Sequence, residues 1–153
     1  MRDRPMAARE WIRAVLVGLG TAAILAAVIV PLIIGGQAQL PKPIAQAVTE
    51  ALLGREVSLA AGMVFHIVYF TGISVAAIAI LRDRLTLRAA MLLSLVLWLF
   101  TLFALAPLAG WGFLGLRQGP EVFIASFVPN ALYGPLLWGL YRLAFDGVRA
   151  PKR

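Results

Sequence analysis

The sequence predicts an all-α integral membrane protein, a four-helix bundle, and three observations carry that expectation. Hydrophobic residues make up 61% of the 153-residue chain and charged residues only 14%, against roughly a quarter charged in a soluble domain. That much apolar surface cannot be hidden in one small water-soluble core, and the mean hydropathy of +0.89 agrees. Finally, four apolar stretches each reach the roughly 20 helical residues that cross a hydrocarbon core, and none contains Asp, Glu or Lys. Such uninterrupted runs do not fit the alternating segments of a β-barrel.

The first span covers about 11–34 and follows a basic start. Its apolar run exceeds the roughly 7–15 residues of a signal-peptide core, so it is read as a retained helix despite the small-x-small triplet at Gly36–Ala38. The connection that follows holds Pro41 and Pro43. It then spaces Ile44, Ala47, Val48, Ala51 and Leu52 by three and four, which predicts a short interfacial helix over about 44–53. The second span covers about 58–81 and ends in a tight basic turn, Arg82–Arg88. The third covers about 89–108. A glycine-rich loop then carries Trp111 and Phe113 at the level expected of an interfacial aromatic belt. The fourth span covers about 122–141. No linker separates soluble domains, so residues 1–153 read as a single membrane domain.

Orientation follows from Lys and Arg. With both termini inside, the inner side carries Arg2, Arg4, Arg9, Arg13, Arg82, Arg84, Arg88, Arg142, Arg149, Lys152 and Arg153, and the outer side Lys42, Arg55 and Arg117. Eleven against three predicts N-in and C-in in a bacterial-type inner membrane, and it explains the net charge of +7 without nucleic acid. The lipid bilayer is the expected partner, with further copies of the chain or partner membrane subunits beside it.

The two hairpins look like repeats of one another. Helix one ends Pro31-Leu-Ile-Ile-Gly-Gly36, and helix three ends Pro107-Leu-Ala-Gly-Trp-Gly112. Gly62-x-x-x-His66-x-x-Tyr69 in helix two parallels Ser126-x-x-x-Asn130-x-x-Tyr133 in helix four. His66 lies eight residues after Ser58 and Asn130 eight after Val122, so both sit about 12 Å below the outer boundary. Polar groups at that depth seek partners or a cavity. His66, Tyr69, Ser126, Asn130 and Tyr133 therefore form the candidate intramembrane polar cluster, with a His66–Asn130 contact allowed by depth. His66 is expected to donate through one ring nitrogen and accept through the other. Gly18, Ala22, Ala26, Gly62 and Gly134 are the candidate helix-packing positions, because small residues let helices approach closely in lipid. Pro129 and Pro135 leave the carbonyls of Ala125 and Ala131 without their usual helical donors. The segments Phe65-His-Ile-Val-Tyr69 and Asn130-Ala-Leu-Tyr-Gly134 resemble the His-x-x-Tyr-Gly repeats of small, uncharacterised bacterial four-helix membrane proteins, with Asn130 where that pattern has His. The resemblance implies no activity.

Chemistry is restricted by what is missing. The chain has no cysteine and a single histidine, so thiolate catalysis, cysteine–zinc sites and a bis-histidine haem within one chain are excluded. One His with no carboxylate at depth is too few ligands for a metal. A Ser126–His66 dyad lacks an orienting carboxylate and an oxyanion turn, and a proton-coupled transporter lacks buried carboxylates. No cofactor is expected. What remains is a protein without its own catalytic site, an accessory or scaffold subunit or a binder of a small apolar molecule near His66. The alternative is an oligomeric channel or transporter for a small solute, and the third reading is a membrane enzyme or cofactor binder.

Overall fold

Every apolar stretch is helical in the computed structural model, which describes residues 5–37 and 40–146, Asp146 by its backbone alone. Ala38 and, among the charges counted above, Arg2, Arg4, Arg149, Lys152 and Arg153 lie outside the described residues. Helix α1 is Ala8–Ile34, α2 Ile44–Leu53, α3 Leu59–Leu81 and α4 Leu87–Phe100. A π turn over Thr101–Leu105 carries α4 into the single turn α5, Ala106–Leu108, and α6 is Glu121–Asp146. Four of these helical stretches are long and apolar enough to cross a membrane, at Ala8–Ile34, Leu59–Arg84, Leu87–Leu108 and Glu121–Phe145. Among the described residues there is no strand. The protein is an all-α four-helix bundle.

The helix ends differ from the expected spans for local reasons. Helix α1 starts three residues early, at Ala8, because the Glu10 carboxylate accepts the Ala7 amide at 2.7 Å and caps the first turn. Helix α3 is capped by Ser58, whose hydroxyl accepts the Ala61 amide, and α4 by Thr86, which accepts from Ala89. Helix α6 continues past Tyr141 to Asp146, since helical hydrogen bonding does not stop where apolar residues do.

Helix α1 packs along α3 and α4 along α6, and α1 leans on α6 to join the two pairs. Glycines set the closest approaches. A Cβ on Gly18 would lie 3.0 Å from the Thr71 Cα, and one on Gly134 would lie 2.8 Å from the Ala90 carbonyl oxygen. Gly62 does not face another spanning helix: its missing Cβ makes room for Gln46 of α2, whose Cα it would meet at 2.7 Å. Ala22 is fully buried, and Ala26 lies a turn further out at the edge of a cavity.

One end of the bundle gathers Met6, Leu85 and Tyr141. There the Tyr141 hydroxyl donates to the Arg82 carbonyl at 3.0 Å, pinning a turn in which Arg82 has a φ of +45°. The other end gathers Leu40, Ile44, Trp111 and Val122. Trp111 does not join an interfacial belt: it is only 4% exposed, whereas Phe113 is 61% exposed. The turn at Gly110–Gly112, both at φ +76°, lets the backbone fold back, and the Arg117 amide then bonds the Trp111 carbonyl. This tucks the indole under the loop.

Candidate functional site

Polar side chains within a membrane span must find partners, and tracing those partners locates the site. His66 Nε2 lies 3.1 Å from the Ala22 carbonyl oxygen of α1. A carbonyl only accepts, so Nε2 carries the hydrogen. The partner is thus neither Asn130 nor a tyrosine. Asn130 Nδ2 donates to the Ser126 carbonyl on its own helix at 2.8 Å. Ser126 Oγ accepts from Trp98 Nε1 and donates to the Phe123 carbonyl, both at 3.2 Å, so it makes no dyad with His66. The Tyr133 hydroxyl shares a hydrogen bond with Ser74 at 3.0 Å. The reason is register: His66 turns toward α1, the immediate neighbour of α3, while α6 reaches α3 mainly through long side chains such as Tyr133.

Although His66 bonds none of the others, His66, Tyr69, Ser126 and Asn130 line one cavity of about 80 Å³ in the half of the bundle nearer α2. Ile44 and Ala45 of α2, with Trp111, form its roof. Its floor is aromatic: Phe70 packs on Tyr133 with ring centroids 5.2 Å apart and on His66 at 4.8 Å. Below that, Leu25, Ile78, Tyr133 and Leu137 are essentially inaccessible and close the other half. Two helix irregularities meet at the cavity wall. Thr101 and Leu105 of the π turn line it, as does Pro129 with Ala125, whose carbonyl that proline leaves without its helical donor.

Three polar atoms of its lining residues have no hydrogen-bond partner among the described residues. His66 Nδ1 meets no described residue. Asn130 is 5% exposed. Because its amide nitrogen faces the Ser126 carbonyl, its orientation is set, and the Oδ1 receives no hydrogen bond from a described residue. The enclosed Tyr69 hydroxyl is also unpartnered. Of the three, the Tyr69 hydroxyl is fully buried, and an unsatisfied group of that kind costs about 1–3 kcal/mol; Thr71 Oγ1 and Ser94 Oγ are likewise buried without a partner, away from this cavity.

Several contributors are invisible to residue spacing. Trp98, Thr101 and Trp111 reach the site only through tertiary packing. The polar face of α2 carried a signal in the spacing of Gln46 and Glu50. Lys42 Nζ lies 2.8 Å from Glu50 Oε2, while Gln46 Nε2 donates to the Val57 carbonyl at 2.9 Å and the Glu50 carboxylate accepts the Val57 amide at 3.4 Å, tying α2 to the segment that leads into α3. The hydrogen bond from Lys42 holds the Glu50 carboxyl below the usual carboxylate range. Among the described residues no group of His, Asp and Glu could hold a metal ion. Compared with family models, with curated proteins and with solved structures, the chain matches none.

Proposed function

We propose that this chain is a small polytopic membrane protein, without a catalytic site of its own, that holds a small apolar molecule bearing a polar end in the cavity beside His66. The observation that carries this reading is the coincidence of apolar walls with three unpartnered polar atoms, His66 Nδ1, Asn130 Oδ1 and Tyr69 Oη. Ligand pockets commonly combine apolar lining with a few placed polar groups. A conducting path through one chain is disfavoured, because Leu25, Ile78, Tyr133 and Leu137 fill the other half of the bundle; a channel would have to form between copies. The eleven-to-three division of Lys and Arg supports cytoplasmic termini in a bacterial-type inner membrane, which places the cavity in the outer half. Such a protein would serve as an accessory subunit, presenting its molecule to partner membrane subunits or to further copies of itself.

The test is extraction. Protein purified in a mild detergent should release an apolar molecule on denaturation, near one per chain by mass spectrometry. Ala26→Phe, which fills the cavity, should abolish it while leaving helicity unchanged. If the wild-type protein releases nothing beyond bulk lipid, and Ala26→Phe has no effect on thermal stability in lipid, the cavity is not a binding site.

A further inference from the structure

The cavity has a side door, and its polar atoms say what passes through it. In the inner half α1 and α6 are in contact, with Gly20 packed against Leu140. In the outer half a groove separates them, lined by Ile29, Leu32, Ile33, Ile124, Ala125 and Val128. Ile29, Ile33, Leu40 and Ala125 line both the groove and the cavity, so these four side chains form the wall between them. Gln37 and Glu121 stand at the groove's outer end. Gln37 lies in the turn past the end of α1 at Ile34, and Ile29 lies five residues inside that end, about 7.5 Å along the helix, so the groove runs from the helix end into the span. In sequence, Pro31 of α1 falls between the groove-lining Ile29 and Leu32, and Pro129 of α6 follows the groove-lining Val128. Each removes a helical hydrogen bond where the helices would have to part.

Resting on the binding role proposed above, we infer that the ligand is an uncharged lipid with a hydroxyl head, which enters sideways from the outer leaflet between α1 and α6. Its hydroxyl sits in the cavity and its chain trails along the groove. The head must be a donor because His66 Nδ1 and Asn130 Oδ1 are both acceptors without a donor, and the Tyr69 hydroxyl can serve either way. It must be uncharged because, among the described residues, no Lys or Arg lines the cavity or the groove and the only charged side chain there is Glu121. It must be small because about 80 Å³ is about half of a cavity that takes benzene. The chain therefore has to remain outside, where the groove is apolar.

The experiment uses the full chain in lipid nanodiscs and hexadecanol carrying a photoreactive diazirine beside the hydroxyl. Adducts should map to the cavity residues, and unlabelled hexadecanol should compete. Hexadecyl methyl ether, which cannot donate, should compete about tenfold less well, the worth of one hydrogen bond to a buried acceptor. Val128→Trp, which fills the groove from its lipid-facing bank, should slow labelling about tenfold with unchanged thermal stability. Absence of cavity adducts in the wild type, together with labelling of Ala26→Phe equal to wild type, would overturn the binding role itself. Cavity labelling that Val128→Trp leaves untouched would overturn the side door alone. Equal competition by the ether would overturn the hydroxyl assignment alone.

Discussion

At the scale of the residue, His66 and Asn130 share depth and cavity but answer to different partners. The imidazole bonds the Ala22 carbonyl of α1 and the amide bonds its own helix. Replacing His66 by Leu removes an interhelical hydrogen bond of about 0.6–2 kcal/mol without orphaning Asn130. His66→Leu and Asn130→Leu should therefore destabilise additively, with a coupling energy within about 0.5 kcal/mol of zero when the variants, stripped of the bound molecule both residues would share, are unfolded in detergent. A larger coupling would mean that the two side chains bond each other in the membrane. Depth was legible from sequence at these positions because helical rise is fixed. Which neighbour each ring or amide faces was not, because that depends on how the helices are arranged around the bundle.

At the scale of the element, α2 is the piece whose position decides whether the cavity has a roof. It seats on α3 through the approach at Gly62 and is clamped by Lys42, Glu50 and Gln46. Lys42 depresses the Glu50 carboxyl, so the clamp is at full strength above the unfolded-state value of Glu50 and is lost as pH falls through the lower, folded one. Protection of residues 44–53 against hydrogen exchange, corrected for the intrinsic pH dependence of exchange, should accordingly be flat near neutral pH and give way to fast exchange only in acid below the usual carboxylate range. Glu50→Gln should show the fast exchange at neutral pH, and protection identical to wild type in that variant would show that the clamp does not hold α2. The amphipathic spacing of α2 was readable in advance. The clamp was not, because Lys42 precedes the helix and reaches back across the Pro43 turn.

At the scale of the whole molecule, the ends of α1 and α6 share a face with the Arg82–Arg84 turn, while α2 and the Trp111 loop share the opposite one. The chain lacks cysteine, so single cysteines introduced at Arg84 and at Gln118 should react with an impermeant thiol reagent from opposite sides of sealed vesicles, the former from the cytoplasmic side. Labelling of both from one side would be incompatible with four spans, and reversed sidedness would invert the proposed orientation and move the cavity to the inner half.

Sequence by itself determined the all-α class, the four helices long and apolar enough to span, and Gly18 and Gly134 as close approaches between them. It did so because lipid demands long apolar helices and every residue adds a constant rise. It also identified His66, Tyr69, Ser126 and Asn130 as the residues of interest, since polar groups are costly at that depth. Only the tertiary structure decided that His66 turns to Ala22, that Tyr133 turns to Ser74, that Trp111 is a buried roof and that α1 and α6 separate at the end of the bundle nearer α2. Those facts come from side-chain packing between helices far apart in the chain. Hydropathy sets where each helix sits along the membrane normal, but not which face it shows to which neighbour.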